Sequence, residues 1–161
     1  METEKEILNK FLVEVFNEIL RTEEQMIAEN GYDNLSVREM HVIEAVCTCA
    51  LAGKNTATDI ASFLGVVPGT LTTAINILEK KGYIYREKSQ NDRRVVRIKA
   101  TESGEKVNED HKRFHGQMID GVLSALTPEQ TVVFMRGLSG VADFFKQNGY
   151  KGERKNDKNN G

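Results

Sequence analysis

Gly65-Val66-Val67-Pro68-Gly69-Thr70-Leu71-Thr72-Thr73-Ala74-Ile75, followed by Leu78-Glu79-Lys80-Lys81-Gly82-Tyr83-Ile84 and then Lys88-Ser89-Gln90-Asn91-Asp92-Arg93-Arg94, is the stretch that decides the fold. It opens on a short turn bounded by glycines, which let the backbone bend sharply. Pro68 then suits the first turn of a helix, where its missing N–H costs nothing. Leu71, Ala74, Ile75 and Leu78 recur at spacings of three and four, so a helix is expected over 69–81, with Gly82 just past its end. From Tyr83 the period changes. Tyr83–Arg86 reads as a strand and Val95–Lys99 as its return, with the charged connection Glu87–Arg94 between them. A tight turn, a helix and a basic hairpin in that order point to a winged helix-turn-helix.

The flanking sequence fits around this centre. Thr56, with Asp59 three residues on, caps a short helix that buries Ile60, Ala61 and Leu64 and closes at Gly65. Before it, Ser36 and Glu39 have capping-box spacing and open a helix with Val37, Met40, Ile43 and Val46 inward, stopping near Gly53. Residues 4–29 form a long amphipathic pattern, with Ile7, Leu8, Phe11, Leu12, Val15, Phe16, Ile19 and Leu20, ended by Asn30-Gly31. That stripe is wider than one small domain needs from its first helix, and burial against a partner chain is expected. Downstream, Thr101 caps a helix carrying Val107, His111, Phe114, Met118, Ile119, Val122 and Leu126, and Thr127-Pro128-Glu129-Gln130 opens a last one. The fold class is therefore mainly α with a small β-hairpin wing. Residues 35–99 are read as the winged helix-turn-helix, 1–34 and 100–148 as a helical dimerisation region, and 149–161, polar after Tyr150, as a disordered tail.

With 161 residues, 39% hydrophobic and 29% charged, the chain suits one soluble domain. No run reaches about 18 apolar residues, so no membrane span is expected. The acidic start, Met1-Glu2-Thr3-Glu4, is unlike a secretory signal, and a cytoplasmic protein is expected. A formal net charge of −2 argues at first against nucleic acid. The distribution reverses that. Residues 1–34 hold nine acids against Lys5, Lys10 and Arg21, whereas 67–99 hold eight cations against Glu79, Glu87 and Asp92. The basic segment coincides with the second helix of the turn and with the hairpin.

The expected DNA contacts follow from that coincidence. Thr70, Thr72, Thr73 and Asn76 lie between the buried positions of the helix, where hydroxyls, methyls and an amide can reach phosphates or base edges. Pro68 and Gly69 lie at its start, where the free N–H groups that follow Pro68 favour phosphate, Thr56 and Thr58 lie at the start of the preceding helix, and Lys80 lies at the end. In the hairpin, Lys88, Asn91, Arg93 and Arg94 supply cations and donors for a narrow groove, with Asp92 placed to orient Arg94. A winged helix used only for protein contacts is the alternative from another class; it has no need of this cation density. No nucleophile elbow, P-loop, dinucleotide fingerprint or HExxH motif occurs, so no enzyme is expected. Cys47 and Cys49 sit among apolar neighbours and read as buried thiols rather than a redox switch.

Val67-Pro68-Gly69-Thr70-Leu71-Thr72-Thr73-Ala74-Ile75, Leu78-Glu79-Lys80-Lys81-Gly82-Tyr83-Ile84 and Asn91-Asp92-Arg93-Arg94 together resemble the MarR family of bacterial transcription regulators, over about residues 5–148. The resemblance implies a homodimer built on the first and last two helices, with each winged unit reading half of an inverted-repeat operator. Arg38-Glu39-Met40-His41 and His111-Lys112-Arg113-Phe114-His115 further resemble the branch that represses fatty-acid-synthesis genes, in which a long-chain acyl group on acyl carrier protein is the corepressor. That implies an acyl site drawn from Phe11, Val15, Phe16, Met40, His41, His111, Lys112, Arg113, Phe114, His115 and Met118. His111 and His115, at i and i+4, share a helix face. With His41 and Glu24 they also suit tetrahedral zinc, as in the zinc-sensing branch of the family. A third reading makes the histidines hydrogen-bonding groups of a dimer interface. All three stay open at this level.

Overall fold

In a computed structural model the described residues are 2–148, and the expected disorder of 149–161 lies outside them. The elements run α1 (Glu4–Glu29), α2 (Val37–Leu51), α3 (Ala57–Leu64), α4 (Pro68–Lys80), β1 (Ile84–Lys88), β2 (Val96–Ala100), α5 (Glu102–Ser124) and α6 (Pro128–Asn148). Among the described residues no single helix is long and apolar enough to cross a membrane.

The helix starts are fixed by their caps. Thr3, Ser36 and Thr56 each accept from the backbone N–H three residues on, and Glu6, Glu39 and Asp59 accept in return from the cap backbone. Gly65 closes α3 with φ 66°, and α3 and α4 then meet at a bend of 111°. Helix α4 starts one residue earlier than expected, with Pro68 as its first residue.

The hairpin strands lie further along the chain than the alternation suggests. Tyr83 lies in the turn that closes α4, because its N–H donates back to Leu78 O and its ring is buried. Val95 is held in the turn, its N–H donating to Asp92 O and its carbonyl accepting from Ser89. Pairing therefore runs antiparallel from Ile84↔Ala100 to Lys88↔Val96. Asn55 extends the sheet on its other edge. Its carbonyl accepts from Ile98 N–H and its side-chain amide donates to Ile98 O, both at 2.8 Å.

The chain divides into two compact units, one ending at His115 and one beginning at Gly116. In the first, Met40, Ile43, Val46, Ile60, Leu71, Ile75, Leu78, Ile84, Ile98 and Val107 form one buried core. Two polar ties lock its edges. Lys81 donates to Glu39 Oε1 at 2.7 Å, joining the end of α4 to the start of α2. Tyr32 donates to Asp110 Oδ2 at 2.6 Å, joining the loop after α1 to α5. Gly104 is where α5 crosses the root of the hairpin. A Cβ there would lie 2.1 Å from Tyr83 O. In the second unit, Thr127 and Gln130 cap α6. Val132, Val133, Met135 and Leu138 are exposed on that helix, as are Ile7, Leu8, Phe11 and Phe16 on α1.

Candidate nucleic-acid interface and effector cavity

Helix α4 buries Leu71, Ile75 and Leu78 and leaves Gly69, Thr70, Thr72, Thr73, Asn76 and Lys80 exposed. The polar face expected from the spacing is thus a solvent face in this unit. Its groups are already oriented. Thr72 and Thr73 donate their hydroxyl protons back to Pro68 O and Gly69 O, at 2.9 and 3.2 Å. Thr58 is exposed on α3, while the Thr56 hydroxyl is taken up in its own cap with Asp59.

The hairpin tip has the arrangement read from the sequence. Asp92 Oδ1 accepts from the Arg94 backbone N–H at 3.0 Å and from Arg94 Nε at 3.2 Å, and Oδ2 accepts from a terminal guanidinium nitrogen at 3.2 Å. These bonds hold the Asp92 carboxyl below its ordinary pKa. Lys88, Asn91 and Arg93 are exposed beside them. Two contributors were not singled out in the sequence. Arg86 on β1 reaches across to Asn76 and Glu79 on α4, and Arg97 on β2 donates to Gly53 O and to Asn55 Oδ1 at 2.8 Å each. Both are exposed or half-buried cations on strands, where period-two alternation marks only a side and not a partner.

A second site lies between α1, α2 and α5. A cavity of about 450 Å³ is walled by Phe16, Ile19, Leu20, Phe63 and Leu64 on its apolar side. Glu23, His41, His111 and His115 converge on its polar side. The carboxylate is Glu23, not Glu24. Glu23 continues the buried stripe of α1 toward Met26 and Ile27, whereas Glu24 is exposed. Glu23 Oε1 stands 2.9 Å from His41 Nε2 and 3.2 Å from both His111 Nε2 and His115 Nε2. The two α5 imidazoles are themselves 2.8 Å apart, Nε2 to Nε2. Burial alone would raise the Glu23 pKa, but the three imidazoles outweigh it and hold the group below its ordinary value. Burial pushes His111 down, against the pull of Glu23 and Glu44.

The remaining residues expected at an effector site are dispersed. Met40 is buried in the core, 1% exposed. Phe11 and Val15 lie exposed on α1, and Phe114 packs against the core. Arg113 is paired with Asp110, and Lys112 lines a separate groove with Cys47, Arg97 and Lys99. Met118 belongs to the second unit. Burial raises the thiol pKa of Cys49, and that of Cys47 to about 11, so both stay protonated near neutrality.

Comparison with known proteins follows the same outline. A family model described as "MarR family" matches residues 40–96. The HTH-type transcriptional regulator YwhA of Bacillus subtilis is 37% identical over 90 residues, 56% of this chain and 65% of that protein. A second B. subtilis regulator of that type, YpoP, is 30% identical over 101 residues, 63% of this chain and 64% of that protein. The match thus spans just under two thirds of these curated relatives. Streptococcus pneumoniae FabT in complex with DNA superposes with a TM-score of 0.81 at 32% identity, covering 89% of this chain and 99% of that one. Staphylococcus aureus MepR in complex with DNA shares the fold, with a TM-score of 0.68 at 20% identity over 88% of this chain and 95% of that one.

Proposed function

The chain belongs to the MarR family, and on that premise we propose that it is a DNA-binding transcription regulator, acting as a homodimeric repressor on an inverted-repeat operator. The observation that carries this is the pairing of an outward polar face on α4 with a cation-bearing hairpin whose Arg94 is pre-oriented by Asp92. Helix α4 fits a major groove and the hairpin an adjacent narrower one. Dimerisation is supported by the apolar side chains that α1 and α6 leave exposed, among them Phe16, at 63%, and Val133, at 69%. Several large apolar side chains left exposed along one helix mark a face that packs against a partner.

The effector reading is a long-chain acyl group on acyl carrier protein, acting as corepressor for fatty-acid-synthesis genes. Its support is the likeness to FabT over nearly all of that chain, together with a cavity of suitable size walled by Phe16, Ile19, Leu20 and Leu64. One observation favours a second reading, a zinc-responsive regulator. Glu23, His111 and His115 place one ligand atom each within 4.8 Å of one another. Tetrahedral zinc needs ligand atoms about 3.3 Å apart, and the separations of 2.8 to 3.2 Å lie a few tenths short of that. Glu44 Oε2, 3.5 Å from His111 Nδ1, stands where an outer carboxylate would orient the ring.

Native mass spectrometry of the full chain purified from its own host, before and after EDTA, tests both. An acyl or acyl-carrier adduct that survives EDTA supports the first reading. A zinc-sized mass that EDTA removes supports the second. Protein bare in both states, and silent to added acyl carrier protein and zinc, overturns both.

A further inference from the structure

A groove of about 720 Å³ lies between the end of α2, the first half of α5 and the two hairpin strands, and it shares no lining residue with the histidine cavity. Its α5 wall is Glu105, Asn108, Glu109 and Lys112, at i, i+3, i+4 and i+7 on one face of the helix. Asn108 is 7% exposed, and its Oδ1 is buried with no hydrogen-bond partner. Among the described residues its NH2 group has no partner either, and it is the end left accessible. Buried side-chain amides are normally paired, so one left open on the wall of a groove points to a partner from outside the chain. The charges beside it are also unspent. Glu105, Glu109 and Lys112 enter no ion pair among the described residues. Across the groove, Arg97 uses only Nη1 on Gly53 O and Asn55 Oδ1, which leaves Nε and Nη2 as donors. The α2 wall is apolar, with Cys47, Ala50 and Leu51, and Leu51 is 85% exposed. Burial raises the Cys47 thiol pKa, Glu105 pushes it further up and Lys112 draws it down, so both signs of charge reach that wall.

These features restrict the occupant. A plain anion would meet Glu105 and Glu109, and a plain cation would meet Arg97 and Lys112. A molecule that carries both charges a few bonds apart, with an apolar extension, answers every group in the groove. We propose that the groove is a binding site for a free α-amino acid with an apolar side chain. Arg97, Lys112 and the Asn108 NH2 group receive its carboxylate. Glu105 and Glu109 receive its ammonium, and its side chain covers Leu51, Ala50 and Cys47. The volume, and an apolar wall facing a few convergent polar groups, suit a small-molecule site.

Isothermal titration of the full chain with L-leucine, L-isoleucine, L-methionine and L-phenylalanine tests the site. At least one should bind saturably, with a Kd of about 1 mM or tighter. The matching acid without the ammonium, and the matching amine without the carboxylate, should each bind at least about tenfold more weakly. Lys112→Gln and Asn108→Leu should each weaken binding by about fivefold or more. In the ¹⁵N-labelled wild type the amino acid should shift the Asn108 side-chain NH2 signals. Should Asn108→Leu fail to fold, Lys112→Gln, a change at an exposed residue, decides together with those signals. No saturable binding by any of the four, equal binding by the acid or the amine, indifference to Lys112→Gln, or binding that leaves the Asn108 signals in place overturns the proposal. None of these readouts uses DNA, so their failure leaves the DNA-binding reading untouched.

Discussion

Arg94 is held by Asp92 through its backbone N–H, its Nε and a terminal nitrogen, on a loop where its side chain is 92% exposed. An exposed pair of this kind adds little to folding. Its value lies in limiting the directions in which a long cation can point before it meets a phosphate-lined groove. Arg94→Ala should therefore leave the melting temperature nearly unchanged and weaken operator binding well beyond Lys10→Ala, an exposed change on α1. Equal effects in a binding titration would remove the hairpin from the interface. Glu39 is a different case, since it both caps α2 and accepts from Lys81. Burial would raise its pKa, but Lys81 and the Ser36 backbone outweigh that and hold it below the ordinary 4.5. A carboxylate with a depressed folded pKa stabilises fully above the unfolded value, and the contribution is lost as pH falls through the folded one. Thermal melts of Glu39→Gln should thus lie below wild type at neutral pH and converge with it as the pH falls through the depressed folded-state value. At this scale the sequence was informative for caps, which depend on local spacing, and for Asp92–Arg94, two residues apart. Glu23 and Glu24 show the limit. Only the register of α1 separates them, and the stripe Ile19, Glu23, Met26, Ile27 carried that signal in its spacing. Arg86 was illegible because its partners are seven and ten residues away on another element.

The elements depend on a few close approaches. Helix α5 meets the hairpin root at Gly104, where an added Cβ would strike the Tyr83 carbonyl. Thr101 seals the same junction, donating from its hydroxyl to Gly82 O at 2.7 Å while accepting from Gly104 N–H at 3.2 Å. Because backbone and not a yielding side chain is struck, Gly104→Ala should cost about 1–3 kcal/mol in a denaturant titration. Ser103→Ala, a neighbour with no such contact, should be close to neutral. The helices were legible because their apolar periods are long and their caps explicit. The strands were displaced by one or two residues at their ends for a physical reason. Alternation alone cannot tell that Tyr83 N–H is still bonded to Leu78 O, or that Val95 is still closing the turn.

For the whole molecule, the net charge of −2 conceals its use. Acids gather on the first 34 residues, and cations on the segment that forms α4 and the hairpin. Electrostatic attraction to DNA is therefore local, and the account needs two such patches, brought together by the apolar faces of α1 and α6, for tight and specific binding. The exposed apolar face of α1 was legible as a stripe wider than one small domain needs. The cavity beside α1 was only half legible, since its histidines were identified but Met40 and Lys112 went elsewhere. The most direct measurement is the salt dependence of binding to the selected operator. If two winged units contact six or more phosphates between them, affinity should fall by roughly a thousandfold or more between 50 and 200 mM salt, and the slope should flatten for Arg94→Ala. Binding that scarcely changes over that range, or a slope indifferent to Arg94, would contradict the account.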